Sequence, residues 1–526
     1  MRRVRSVSPM AVAAAVFLLV LTISFRASAR STSASIDVRT AAQSSAADAG
    51  NFTGPGSCSA VACHGSIRPV AGSRILKTEY STWVSQDRHA RATDVLSNAV
   101  SVRMGRILGI GRPDQAQKCL ACHSLDAPEA QRARNFTTEG VSCEACHGPA
   151  TGWLGYHVTK DAKHDESVRR GMYDTKDLVK RTDKCLTCHL GTSEKWVDHE
   201  MIAAGHPDLV FDLEAFSSAM PRHWRESPDA DAFRLVRTFA VGQLVHLRSS
   251  LDRVARRLKG PVWPEYAELD CFACHHSLTR AEDSWRQAEG YEQRPRPGNP
   301  PLNVSRWVTA RHVLETLDPQ AATELDAIMP KLVIEASRLR TKEDDVVAFA
   351  NQARAIVDRG VARAVASTPT AEATSRMLRA IFADAAGIAG RGERAAEQAA
   401  MAVETLSSAL ARARGQDPAA MKTTFAELFQ QFESPSAFDP RRFVAAMKKV
   451  EGATRQAYGL MTHGSCWLMA PGLKTRPTAQ CAERRSLVRL HDRRAYAGST
   501  RNTCAAPAAS RTYSPSFKSS RAQRYR

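Results

Sequence analysis

Four stretches of the sequence place two cysteines three residues apart with a histidine directly after the second. They are Cys119-Leu-Ala-Cys122-His123, Cys143-Glu-Ala-Cys146-His147, Cys185-Leu-Thr-Cys188-His189 and Cys271-Phe-Ala-Cys274-His275. A thiol pair at this spacing has two chemical uses. One is half of a tetrahedral zinc site, which needs a second half from elsewhere in the chain. The other is covalent attachment of a porphyrin. The thiols form thioethers to its two vinyl groups, and the adjacent histidine falls under the iron. Zinc does not require a histidine after every second cysteine. Four copies of the full pattern do not arise by chance in a chain with 13 cysteines and 16 histidines. The pattern therefore reads as c-type haem attachment.

A fifth site, Cys58-Ser-Ala-Val-Ala-Cys63-His64, has two extra residues between the thiols. An outward bulge can absorb them, so five covalently attached c-type haems are expected. Cys58, Cys63, Cys119, Cys122, Cys143, Cys146, Cys185, Cys188, Cys271 and Cys274 bind the cofactor. His64, His123, His147, His189 and His275 are the proximal iron ligands.

These sites need export and a scaffold. Arg2 and Arg3, the apolar run Ala11 to Phe25 and Ala27-Ser28-Ala29 read as a signal peptide over residues 1–29. The run is short for a spanning helix, and an uncleaved membrane anchor is the alternative. Haem attachment outside the bacterial cytoplasm agrees with a periplasmic protein, soluble or peripheral to the membrane. The net charge of +19 does not point to nucleic acid. Residues 464–526 alone hold eleven Arg and two Lys against Glu483 and Asp492, and the leader adds four arginines. Haem propionates then bring the remaining core near neutrality or below it.

The fold class is mainly α. Residues 30–54 are small and polar, a flexible linker. Residues 55–302 hold every motif and read as a multihaem cytochrome c domain of short helices and loops around stacked haems. One longer helix is expected at about 232–258, with Phe239, Leu244, Leu247, Leu251 and Leu258 as its apolar stripe. Residues 303–463 form a helical region, a bundle of amphipathic helices. Val346, Phe349, Ala350, Ala353, Ile356, Val357 and Val361 keep helical spacing, and Asp439-Pro440 reads as a cap with proline at the first helical position. Scaffold, docking surface and lid are all open for this region. Residues 464–526 lose periodicity and read as a disordered tail or an out-of-frame extension of the gene, with Cys466, Cys481 and Cys504 outside any motif.

The strings "CHGSIRPVAGSRILKTEYSTWVSQDRHARA", "KCLACH", "GVSCEACHGPATGWLGYH" and "DKCLTCHLG" come in that order. Over about residues 55–210 this resembles the tetrahaem cytochrome c-554 family, found beside hydroxylamine oxidoreductase in ammonia oxidisers. The resemblance implies a mostly helical haem domain with stacked porphyrin pairs, electron transfer, and one haem without a distal protein ligand. The sequence departs from the family in its C-x4-C-H first motif, its fifth haem motif and its helical region.

Distal ligands are less defined. The resemblance implies His89 and His157. In "DHEMIAAGHPDLVF" both His199 and His206 qualify, and His206 is favoured because Gly205 and Pro207 set it in a turn. His276 cannot turn back onto the iron of His275 but can reach a neighbouring haem. His223 and His246 are further candidates, while His164 and His312 read as surface or packing residues. By family order the haem on His123 is the one expected to be open if any is.

Three functions compete. The first is electron transfer to and from redox partner proteins, quinol-linked proteins or other cytochromes. The second is a haem oxidoreductase acting on a small nitrogen or sulfur species at one open iron. The third is a structural subunit. Electron transfer leads; catalysis is left undecided.

Overall fold

The computed structural model describes residues 50–73, 75–134, 136–225, 231, 233–260, 263–275, 300–338, 340–433 and 437–458. The leader, most of the 30–54 linker, His276 and the 464–526 tail lie outside the described residues. The described chain is mainly α-helical. Its extended pairings are two isolated bridges, Phe52 with Arg132 and Leu269 with Leu302.

The first half is built of short helices. These are α1 (Glu79–Gln86), α2 (Ala99–Ile107), α3 (Gln117–His123), α4 (Cys143–His147), α5 (Leu154–His157), α6 (His164–Arg169), α7 (Leu178–His189), α8 (His199–Ala204) and α9 (Leu213–Ala219). Their starts follow local chemistry. Asp177, Asp198 and Asp212 each accept a hydrogen bond from a backbone N–H in the first turn of α7, α8 and α9. Elements this short carry little stability of their own and depend on what they pack against.

What they pack against begins with α10 (Arg234–Leu258), the long helix expected at about 232–258. Its stripe residues Phe239, Leu244, Leu247, Leu251 and Leu258 are all buried. Beyond it come α11 (Ser305–Leu317), α12 (Pro319–Ala336), α13 (Glu343–Ala366), α14 (Ala371–Ala383), α15 (Ala385–Gly390), α16 (Glu393–Ala413), α17 (Lys422–Phe429) and α18 (Pro440–Tyr458). Asp318 caps α12 with Pro319 at its first position. Asp439 accepts from the N–H of Arg441 at 2.9 Å ahead of α18.

One hydrophobic core runs from Leu186 to Tyr458. It passes residue 302 without a break, because α10 packs on α7 on one side and on α11 and α13 on the other. Two details bring the haem-motif half close to the bundle. A Cβ on Gly242 of α10 would stand 2.7 Å from Leu213 Cβ, so only glycine lets α9 lie this near α10. Beneath it, Asp212 accepts from Gln243 Nε2 at 2.6 Å, and the Thr309 hydroxyl donates to Gln243 Oε1. That buried chain ties the α9 cap to α10 and α11. Among the described residues no helix is long and apolar enough to cross a membrane.

Candidate haem-binding site

The motifs close in the same way despite their different spacing. In the fifth, the His275 N–H reaches the Cys271 carbonyl at 2.8 Å. In the first, the His64 N–H reaches the Cys58 carbonyl at 3.2 Å, and the Cys63 N–H reaches that of Ala60 at 2.8 Å. The two extra residues are thrown outward, with Val61 exposed. Both thiols of the C-x4-C-H site therefore stay on the same turn as His64. The second, third and fourth motifs lie in α3, α4 and the end of α7.

These four motifs converge on one cavity of about 3800 Å³. Pockets for drug-sized ligands run to roughly 1,000 Å³, so this one has room for several porphyrin-sized groups. All eight of its motif cysteines and His64, His123, His147 and His189 line it. Thiols of different motifs meet there, Cys58 against Cys143 and Cys122 against Cys188. Lys195 Nζ donates to the Ala121 carbonyl at 2.8 Å and lies 3.4 Å from Cys188 Sγ, joining the second and fourth motifs. Glu144 joins the first and third. Its buried carboxylate accepts from the N–H groups of Thr53 (2.9 Å), Gly54 (2.7 Å) and Ala150 (2.7 Å). The bundle supplies a wall, including Met401 and Glu404 of α16 and Phe425 and Phe429 of α17.

The fifth motif stands outside this cavity. Arg253 and Arg257 of α10 pair with Glu268 at 2.8 and 3.0 Å, and Arg394 of α16 donates to the Ala267 carbonyl at 3.1 Å. The segment leading to Cys271 is thereby fixed to both helices.

Imidazoles stand in opposed pairs. Ring centroids are 6.3 Å apart for His64 and His157, 6.2 Å for His89 and His189, 6.3 Å for His123 and His206, and 6.4 Å for His199 and His275. Two imidazoles bound to opposite sides of one metal ion at roughly 2 Å, each adding roughly 1.2 Å from nitrogen to ring centre, have centroids about 6.4 Å apart. Every pair joins one motif histidine to one outside the motifs. Among the described residues no three His, Cys, Asp or Glu side chains form a compact metal cage. Pairs of imidazoles beside thiol pairs fit haem, which brings its own four equatorial nitrogens.

Hydrogen bonding decides which nitrogen each ring offers. Nδ1 is taken by Glu79 Oε2 in His64 (2.9 Å), by Asp87 Oδ1 in His89 (3.0 Å) and by the Ala92 carbonyl in His123 (2.8 Å). It is taken by the Leu154 carbonyl in His157 (2.6 Å) and the Pro207 carbonyl in His206 (2.7 Å). Nε2 is left for a metal. The remaining histidines differ. His164 places Nε2 on Asp174 at 2.9 Å, and His312 uses both nitrogens, on Glu315 and Asp384. His246 is buried in α10 against Phe211, which also stacks on His189 at 4.8 Å.

The segment 198–206 supplies two rings. Asp198, which caps α8, also accepts from Lys118 Nζ of α3 at 2.8 Å, and the His199 N–H donates to Glu265 at 3.0 Å. His206 thus reaches His123, while His199 at the other end of α8 reaches His275. The sequence favoured His206 over His199. The signal for both was their seven-residue spacing, which puts them at opposite ends of a two-turn segment. The position facing His123, expected to be the open one, holds His206.

Charge in the cavity is uneven. The hydrogen bond to Asp87 raises the pKa of His89, and that to Glu79 raises the pKa of His64. Burial, with the nearby His223 and His64, lowers His147 to about 4, so its ring is neutral and able to bind a metal. Burial pushes the carboxyls of Glu214 and Glu404, both on the cavity wall, up to about 7.

Residues 57–148 match the family described as cytochrome c554 and c-prime. The match supports a c-type cytochrome with covalently bound haem, and it contains the first three cysteine pairs and His89. The fourth and fifth motifs, His157, His199, His206 and the bundle lie beyond the match. No curated protein and no solved structure matches the chain.

Within the matched segment, Gly140 of "GVSCEACHGP" has φ +42°, and a Cβ there would stand 2.6 Å from the His89 carbonyl oxygen and 2.5 Å from that of Ala90. The Val141 N–H bonds the same His89 carbonyl at 2.9 Å, and Trp83 Nε1 donates to the Val141 carbonyl at 3.1 Å. Glycine thus lets the segment before the third motif press against His89. Gly140→Ala should cost about 1–3 kcal/mol through overpacking and strain. It should also move His89 away from His189. Chemical denaturation with parallel visible spectroscopy checks this: the variant should gain a high-spin fraction while keeping its haem count.

Proposed function

We propose that the chain is a periplasmic cytochrome with five covalently attached haems, one on each cysteine pair, and that it transfers electrons between redox partner proteins. The observation that carries this reading is the set of four opposed imidazole pairs at the separation one iron requires. Bound haem supplies a one-electron ferric–ferrous couple. The chain supplies ligands, spacing and insulation.

His64 with His157, His123 with His206, His189 with His89 and His275 with His199 are the proposed axial pairs. Two imidazoles on one iron leave no position for substrate, and their geometry hardly changes with oxidation state. Both features favour electron transfer over catalysis at these four positions. The contacts of Cys58 with Cys143 and of Cys122 with Cys188 support two close pairs, first with third and second with fourth. The fifth motif, outside the main cavity, is the proposed outer station. The bundle is assigned the role of wall and scaffold, from Met401, Phe425 and Phe429. Export rests on Arg2, Arg3, the apolar run and Ala27-Ser28-Ala29. Partners of the class expected are other cytochromes and quinol-linked proteins.

Intact mass after acid–acetone treatment tests the count. The mature protein should retain five haems, and a variant carrying Cys271→Ala and Cys274→Ala should retain four. Four in the unmodified protein would remove either the C-x4-C-H site or the fifth site, and none would end the reading.

A second prediction concerns pH. Glu214 sits in α9, whose Phe216 packs on His189 at 5.4 Å. With its pKa raised by burial to about 7, Glu214 is neutral below pH 7 and anionic above it. Glu214 and His189 line the same cavity, and an anion on its wall stabilises ferric iron, so the midpoint potential of the haem on His189 should fall as pH rises through about 7. The same raised pKa makes folding stability decline between the unfolded carboxyl value, roughly 4.3, and 7. Spectroelectrochemical titrations at pH 5.5 to 8.5 should show the fall, and Glu214→Gln should flatten it.

A further inference from the structure

Four motif histidines face a second imidazole at 6.2–6.4 Å; among the described residues, His147 of α4 faces none. Among the other imidazoles lining the same cavity, His223 is the one that neither stands in such a pair nor, like His164, gives its Nε2 to a carboxylate. His223 differs from the paired rings in two respects. Its Nδ1 is 3.4 Å from the Pro221 carbonyl, where the anchored rings have contacts of 2.6–3.0 Å. At 3.4 Å a hydrogen bond holds a ring weakly. It also lies outside any helix, between α9 and α10, whereas His89 and His157 lie within helical turns and His199 and His206 begin and follow α8.

We propose that the third motif is the ligand-exchange site of the protein: His223 is a displaceable sixth ligand opposite His147, and a small uncharged diatomic that binds ferrous iron takes its place. The proposal rests on the reading that Cys143 and Cys146 carry a haem. In the exchange the bond from iron to His223 Nε2 breaks and the bond to the diatomic forms. No electron is transferred, and the freed imidazole leaves neutral or takes a proton from solvent. The second motif is not this site, because His206 is fixed opposite His123 by the Pro207 carbonyl at 2.7 Å and by the Asp198 cap of α8.

Carbon monoxide added to the fully reduced holoprotein tests this. One CO should bind per chain, at a rate that reaches a plateau with CO concentration because His223 must leave first. His223→Ala should still bind one CO, with the plateau lost and the rate proportional to CO. Its oxidised form should gain a single high-spin ferric signal with the other haems unchanged. His206→Ala should instead add a second CO site. If His223→Ala does not accumulate, His223→Met, which keeps a ligand atom, should bind one CO with a changed plateau rate. No CO bound by the unmodified protein would overturn the proposal. So would one CO bound with kinetics that neither His223 variant alters. Alkylatable thiols at Cys143 and Cys146 would overturn the haem reading beneath it, and with it the proposal.

Discussion

Two imidazole nitrogens that are to share one iron must wait about 4 Å apart, facing each other across a gap wide enough for a porphyrin. Apolar collapse works against this, since it would close the gap. The chain meets the constraint by fixing each ring through its other nitrogen. Glu79, Asp87 and the carbonyls of Ala92, Leu154 and Pro207 hold Nδ1 of His64, His89, His123, His157 and His206. Each partner is itself held: Asp87 is buried, and the Leu154 and Pro207 carbonyls sit in the same turns as the histidines they anchor. Rotation about χ2 is thereby restricted before any metal arrives, and the tautomer is set.

The rest of the architecture keeps the space open. A cavity of about 3800 Å³ cannot be walled by nine short helices alone. The long α10 and the bundle behind it supply the rigid side, through the core that runs from Leu186 to Tyr458. Gly242 and the Asp212–Gln243–Thr309 chain set how closely α9 approaches, and α9 carries Phe216 onto His189 and Glu214 to the cavity wall. The bundle thus reaches the cavity directly, through Met401, Phe425 and Phe429. It also reaches the fifth motif, through Arg394. A region without cysteine positions both.

Much of this was legible in the residues. The cysteine–histidine motifs are local, so their spacing predicts their closure, including the outward bulge between Cys58 and Cys63. The long helix appears at 234–258 against an expected 232–258, because its apolar stripe is continuous. The pairing of rings was not legible in the same way. His206 and His199 meet motif histidines far away in sequence, and only the folded path of α8, fixed by Asp198 to Lys118 and by His199 to Glu265, sends one to each side. Family order pointed to His123 as the open position, and the chain instead brings His206 there. Nothing in "MPRHW" marked His223 as looser than the others; that distinction needs its distance to Pro221. The place of the bundle as a cavity wall was also beyond periodicity, which gives a helix its buried face but not what lies across from it.

Electron paramagnetic resonance of the fully oxidised protein bears most directly on the central claim, that opposed imidazoles hold the irons. Parallel imidazole planes split the iron d orbitals and give an ordinary rhombic low-spin signal; perpendicular planes leave them nearly degenerate and give a signal with a very large maximum g value. The planes of His64 and His157 are 6° apart, those of His199 and His275 33°, and those of His89 with His189 and His123 with His206 90° and 89°. The account predicts two haems of the large-g type and at least two of the rhombic type in one sample. A spectrum with only rhombic signals, or one dominated by high-spin iron, would contradict it.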